Sequence, residues 1–308
     1  MEEKFGIEKV DISTFSIPLE SIPRQRVDGL LKNRDGTDRA RFEYGKIIDN
    51  GEYGLIQRCL RYAAGKFEAP RVVIVKRPRH TELSLTSEAI LQALCHSVIQ
   101  KFGFHNSVPD VYDIFMFANE VRFTMEYVEG LNYVEFLKRN PGEPVFMNLL
   151  LQLAFILYAL ETELGFDHRD LNAENIWIRT RSEPQVYSLE IDGVTYTLSL
   201  TNQLVLLDFG FGCLGSTLTR RPQLSLGNVI PAIDPCPKDG RDMYHILNRL
   251  LINPFVVGML SETLVSKLRQ LMRPYKVEEP YLTHIFTSKP SFSIPALTPK
   301  EFIRLFMV

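Results

Sequence analysis

The chain has 308 residues, 45% of them hydrophobic and 23% charged, with 18 Gly and 18 Pro. That composition excludes a disordered chain, a collagen-like repeat and a disulfide-stapled miniprotein, and the length allows one large bilobal domain or two ordinary ones. With 35 Lys and Arg against 37 Asp and Glu, the net charge of −2 demands neither nucleic acid nor an anionic membrane as a partner.

Taken in chain order, residues 1–41 are polar, Pro-punctuated and aperiodic, and predict an extension or short arm. Strands are predicted near 44–48, 55–62 and 71–76. A helix over 86–102 follows, with Ile90, Leu91, Leu94, Val98 and Ile99 on one face. Two more strands are expected around 111–117 and 121–127. After Gly130 the pattern turns helical, with a helix over 145–164 that stops at Gly165. Its most apolar part, 145–160, carries Asn148 and Gln152 and falls short of the roughly 20 residues a bilayer needs, so a buried core helix is predicted. A strand-like 176–178 comes next. The runs 187–191 and 194–198 then alternate around Asp192-Gly193, a type I′ hairpin signal. A buried strand is predicted at 204–207, and helices at 242–251, 261–272 and 299–307. Strands first and helices second predict an α+β fold in two lobes.

The four cysteines (Cys59, Cys95, Cys213, Cys236) show no CxxC and no metal-ligand spacing. The N-terminus, MEEKFGIEKV, lacks an apolar signal region. Cytoplasm or nucleus is expected, not secretion.

Chemistry concentrates in His168-Arg169-Asp170-Leu171-Asn172-Ala173-Glu174-Asn175. An aspartate followed five residues later by asparagine can set a carboxylate at a substrate hydroxyl and an amide oxygen on a metal. Asp208-Phe209-Gly210 closes an apolar strand, where a carboxylate beside glycine suits Mg²⁺ on phosphates. Either motif alone could be a chance loop; their order and contexts argue against coincidence.

On these motifs the chain resembles the eukaryotic protein kinases over residues 42–270. The resemblance implies a bilobal protein kinase fold, an extension over 1–41 and a kinase domain over 42–308, with an N-lobe 42–128 and a C-lobe 129–308. In VIVK, Lys76 matches the lysine that positions the phosphates. Glu88 is its expected partner and Glu82 a rival too near in sequence. IDNGEYGLI resembles the glycine-rich loop, keeping Gly51 and Gly54 but placing Asp49 at the first glycine. MEYVEG resembles the hinge, with Met125 as gatekeeper and the backbones of Glu126 and Val128 directed to adenine. Ile56, Ile74 and Trp177 would make a bulky adenine slot; Trp177 reads equally well as a core aromatic. Asp170 would act on the hydroxyl proton, while Asn175 and Asp208 would hold Mg²⁺. Asn172 stands where many serine/threonine kinases have lysine.

Within the family, the layout over 152–251 resembles the atypical haspin kinases, as would a divergent viral or protist member. The carriers are LQLAFILYALETELGFDHRDLNAEN, a long gap between Asn175 and Asp208 with room for an extra hairpin, a missing Ala-Pro-Glu, and Asp242 as the brace of the catalytic loop. The implied activity is Mg-ATP-dependent phosphorylation of Ser or Thr in a protein. Expected partners are a protein substrate, a histone tail or other basic segment among them, and an activator protein; no membrane or direct nucleic-acid contact is expected. A pseudokinase scaffold is the alternative, opposed by the presence of Lys76, Asp170 and Asp208. Arg169 and Phe209 oppose a small-molecule phosphotransferase, and Asn172 with Glu174 a tyrosine kinase. Ser216, Thr217, Thr219 and Ser225 beside Arg220 and Arg221 suggest a phosphorylation switch onto Arg169, though ordinary polar loop residues are the preferred reading. The basic run from Arg58 to Arg79 suggests an acidic partner, with a solvated strand edge preferred.

Overall fold

Strand periodicity sets the first layer. In β4 (Arg71–Pro78) the alternation sends Val73 and Val75 to one face, where they join a buried cluster of Leu31, Ala40, Phe42, Cys59 and Phe115. The neighbours are β1 (Leu30–Lys32), β2 (Asp38–Asn50), β3 (Gly54–Ala63), β5 (Val111–Phe117) and β6 (Glu120–Glu126). They form an antiparallel sheet in the order β1-β2-β3-β4-β6-β5. Helix α2 (Thr86–Lys101) follows β4, matching the predicted helix closely.

This computed structural model describes residues 2–7, 10–11, 16–50, 54–65, 69–79, 85–215, 237–272 and 297–307. The chain divides into two compact units, one of 1–96 with 109–128 and one of 97–108 with 129–308.

The aperiodic N-terminal segment is part of the first unit and not an arm. A short helix, α1 (Glu2–Phe5), opens the chain. Phe5, Ile7, Ile17, Ile22, Leu31 and Ala40 are all buried, and a boundary after residue 41 falls inside β2. Ile7, Ile17 and Ile22 are inserted singly from irregular chain, and Phe5 and Leu31 from elements of only four and three residues, which leaves no periodic signal to read.

A fully buried carboxylate ties four strands together. Asp113 of β5 accepts from Arg39 Nε of β2 (2.7 Å), Arg61 Nε of β3 (2.7 Å) and Thr124 Oγ1 of β6 (3.0 Å). Burial pushes its pKa up. The Arg61 hydrogen bond and the charges of Arg61 and Arg39 outweigh that push and hold the carboxyl below its usual range. Other members of the basic run serve this unit as well: Arg58 lies 5.3 Å from the Tyr127 ring centroid, and Arg61 and Arg71 lie 5.8 and 5.0 Å from that of Tyr112. Lys66 lies outside the described residues.

In the second unit α4 (Glu143–Leu164) is the central helix, with Leu149, Leu150, Leu153, Ala154, Phe155, Ile156 and Leu157 enclosed. It is longer than the apolar run suggested. By length and composition alone it could cross a membrane; 67% of its most apolar window is buried within the protein, as expected of a core helix. A polar gap in that surface is filled by Gln152, which donates to the Asn202 carbonyl and accepts from Leu204 N, each at 2.9 Å.

The predicted strands at 176–178 and 187–191 are one strand, β9 (Ile176–Ile191). The runs at 194–198 and 204–207 likewise merge, up to Leu206, into β10 (Val194–Leu206). Asp192 (φ 49°) and Gly193 (φ 77°) make the expected tight turn between them. Short β7 (Leu131–Asn132) joins the edge of β9. The helices α3 (Tyr133–Arg139) and α6 (Pro254–Gly258) lie in stretches read as helical in character but given no helix of their own. Both start at an asparagine side chain that accepts backbone N–H groups, Asn132 and Asn253. Helices α5 (Arg241–Leu251), α7 (Glu262–Leu271) and α8 (Pro299–Phe306) match prediction to within a residue or so. α8, capped by Thr298 and Glu301, packs on α4 and sends Lys300 and Arg304 to Asp192 at the hairpin tip. The α+β class is as expected, with a sheet in the first unit and a helical core in the second.

Candidate active site

Each unit carries its own set of the predicted residues. In the first, the alternation that buries Val73 and Val75 turns Ile74 and Lys76 to the opposite face. Register sets Ile56 beside Lys76 and Met125 beside Ile74, so all four share that face. Lys76 Nζ lies 2.6 Å from Glu88 Oε1 on α2, with the two residues only 6% and 3% exposed. An exposed Lys–Glu pair is worth little, but this one has left water, so each charge depends on the other. Glu82 and Gly51 lie outside the described residues. Gly54 sits beside the lysine stem: a Cβ there would stand 3.1 Å from the Arg77 carbonyl oxygen and 3.4 Å from Lys76 Cε. Asp49 turns its carboxylate to the N–H of Asn50 (2.7 Å).

At the end of β6, Met125 Sδ accepts from Gln92 Nε2 (3.4 Å), an amide that also donates to the Pro109 carbonyl. The Glu126 N–H is committed to the Asp110 carbonyl (2.8 Å), and Val128 is buried.

In the second unit, α4 ends at Gly165, whose φ of 58° suits glycine. A Cβ at Gly165 would also collide with the Gly215 carbonyl. Gly165→Ala should therefore destabilise the protein by more than the ~1–2 kcal/mol that left-handed backbone alone costs, read from urea denaturation. The chain then runs through β8 (Phe166–Asp167), paired with β11 (Cys213–Leu214), into the 168–175 loop. Asp242 suspends that loop. Its carboxylate oxygens accept from His168 N (2.6 Å) and Arg169 N (3.0 Å), as expected of the brace.

Arg169 holds φ 68° and is 6% exposed; burial and the neighbouring Arg241 charge pull its pKa down to about 10. The segment weighed as a phosphorylation switch onto it, 216–225, for which ordinary polar loop residues are the preferred reading, lies outside the described residues. His168 Nε2 donates to the Leu207 carbonyl (2.8 Å), and the Leu207 N–H donates to the Asn175 carbonyl (2.8 Å). Leu207 is thus held on both sides, and Asp208 follows it with φ 57°. Phe209 is fully buried against Phe166 and His168, at 5.9 and 5.7 Å between ring centroids. Two non-glycine residues in the left-handed region, each beside a candidate chemical group, are the strained backbone that functional loops carry.

Asp170 is half-buried. Asn175 Nδ2 donates to its carbonyl (2.8 Å) and its Oδ2 (3.1 Å), and Asn172 Nδ2 reaches its carbonyl (3.2 Å). Burial raises the Asp170 pKa above the usual carboxylate range. His168 pulls against that shift, Asp208 adds to it, and the amides of Asn172 and Asn175 lower it. Asn172 also caps the turn after it, accepting from Glu174 N (2.9 Å). Trp177 is half-buried in register with Asn132 and Val205, so it is not a fully enclosed core aromatic.

The donor set suits Mg²⁺. With its nitrogen given to Asp170, Asn175 has its amide oxygen for a cation, and Asp208 supplies an exposed carboxylate. Among the described residues no group of three or more His, Cys, Asp or Glu forms a metal cage. Mg²⁺ characteristically takes one or two carboxylates and fills its shell with water and substrate phosphate.

Sequence reasoning missed two buried titratable residues beside the loop. Asp167 is 1% exposed and lies 3.3 Å from Arg241. Burial pushes its carboxyl up to about 7 against the pull of Arg241. His245, one turn along α5 from Asp242, is pulled down to about 3 by burial and nearby cations and stays neutral. The signal for Asp167 was an acid in the otherwise apolar run before His168.

No protein-family model matches the chain. Serine/threonine-protein kinase cds1 of Schizosaccharomyces pombe is 26% identical over 182 residues, 56% of this chain and 36% of that protein. MAP kinase kinase kinase win1 of the same yeast is 26% identical over 138 residues, 44% of this chain and 9% of that protein. The chain therefore matches well under two thirds of the length of either relative. A solved kinase-domain crystal structure is similar at a TM-score of 0.38 and 18% identity, covering 57% of this chain and 52% of that one. The chain is related in sequence to protein kinases.

Proposed function

We propose that this chain is a protein kinase that transfers the terminal phosphoryl group of ATP to a Ser or Thr hydroxyl. The observation that carries the reading is the Asp170 carboxylate, held by the Asn175 amide in a loop suspended from Asp242. The buried Lys76–Glu88 pair supports it independently.

Asp170 orients the acceptor hydroxyl and takes its proton, while Lys76, kept in place by Glu88, binds phosphate oxygens. Asn175 and Asp208 would hold Mg²⁺, which when bound neutralises charge on the phosphates. Gly54 keeps the backbone close to the lysine stem, and Ile56, Ile74, Met125 and Val128 give the nucleotide base an apolar surface. Positioning and charge compensation supply most of the rate in such a reaction, since its transition state is loose. The haspin-like layout of 152–251 supports a basic protein segment, such as a histone tail, as the acceptor.

The test is transfer from labelled ATP to a peptide array, with and without Mg²⁺. Metal-dependent labelling of Ser or Thr peptides is expected. Nucleotide binding that quenches or shifts Trp177 fluorescence without any transfer would favour a scaffold. The pH profile is a second check. A proton-accepting carboxylate works ionised, and the Asp170 pKa is raised from 3.8. The acidic limb of kcat/KM should therefore lie above that value; a limb at or below it would contradict the assigned role.

A further inference from the structure

Two stretches far apart in sequence hold each other through exchanged carboxylates. Asp242 of α5 takes the backbone N–H groups of His168 and Arg169. In return Asp167, the residue before them, takes the backbone N–H of Lys238 (2.7 Å), and the same oxygen meets the Arg241 guanidinium (3.3 Å). Asp167 also lies opposite Cys213 in the β8–β11 pair. Beside it the Gly215 N–H donates to the Gly165 carbonyl (2.8 Å), extending that ladder. One buried side chain thus touches the chain as it returns at 238–241, on a strand already paired to the chain as it leaves at 213–215.

We propose that Asp167 is a positioning residue, whose carboxylate sets the 168–175 loop in register with the start of α5 and so fixes where Asp170 stands. The inference deepens the kinase reading and rests on it for what Asp170 does. Packing alone does not ask for an acid here, because buried ion pairs replaced by apolar side chains of similar size are often as stable or more so. An apolar side chain cannot accept the buried Lys238 N–H. The acid therefore supplies direction, which packing does not.

The test separates direction from stability by using Asp167→Leu/Arg241→Met, which removes both charges, beside Asp167→Asn, which keeps an acceptor for Lys238. The double variant should melt within a few degrees of wild type or higher. Its kcat for peptide should nonetheless fall at least tenfold, with the KM for ATP within twofold. Amide exchange at His168 and Arg169 should speed up at least tenfold, with α4 unchanged. Asp167→Asn should retain more of that protection than the double variant. Wild-type exchange at His168 and Arg169 in the double variant would overturn the proposal, and so would wild-type kcat. A wild-type protein that transfers no phosphate would sink the kinase reading alone, because the exchange measurement needs no activity.

Discussion

Asp170→Asn is expected to cut phosphoryl transfer at least about a hundredfold while leaving nucleotide affinity within about twofold. Its two oxygens have separate duties: Oδ2 is held by Asn175, and among the described residues Oδ1 takes a long 3.4 Å contact from Asn172. An amide of the same shape keeps the loop fold, since the bonds from Asp242 involve backbone N–H groups of His168 and Arg169 alone. It cannot take a proton from a hydroxyl. Positioned proton acceptors contribute roughly 10²–10⁴ in rate, so kcat should fall by that factor. Calorimetry with a nucleotide analogue and single-turnover labelling together provide the check. Unchanged labelling would remove Asp170 from the mechanism, and loss of both binding and labelling would mean that the loop itself had collapsed.

Asp113→Asn should have the largest effect on stability. The carboxylate is fully buried between the mostly buried side chains of Arg39 and Arg61, and neutralising it leaves two cations facing an amide. Breaking a buried ion pair from one side costs roughly 3–5 kcal/mol. An exposed pair such as Lys138–Glu135 is worth ~0.3–0.5 kcal/mol at most. Urea denaturation of the full chain should show the first unit losing a large part of its stability. Replacing all three groups together (Asp113→Leu, Arg39→Met, Arg61→Met) should recover much of it; no recovery would mean that the network is worth more than its charges. The pH dependence follows the same carboxylate. Because its folded pKa is depressed, its contribution is complete above the unfolded value of 3.8 and is lost as pH falls through the lower folded value.

Asp113 and Asp167 also mark where the sequence stops being legible. Each is an acid in an apolar run, VYDIFMF and GFDH, and read locally each breaks a pattern. Their partners lie elsewhere in the chain: Arg61 is 52 residues before Asp113, and Lys238 is 71 residues after Asp167. The partner of Lys76 was easier to infer, because the kinase resemblance implies an acid on the helix after the lysine strand and Glu82 lies too near in sequence to reach back. The asparagine-capped α3 and α6 were missed because they are too short to show a period.

By itself, the sequence spelled out both chemical motifs, and it determined most of the longer strands and helices among the described residues from 44 to 272, the Asp192-Gly193 turn and the stop at Gly165. These follow from alternation, helical spacing and turn chemistry, which act over a few neighbouring residues. Tertiary structure alone decided that residues 30–32 and 38–41 complete a sheet, that two predicted strand pairs are one long hairpin, and which buried acids meet which cations. The physical reason is burial. A charge or a lone apolar residue has no preferred place until the fold removes its water, and only then does the energy of its partner decide.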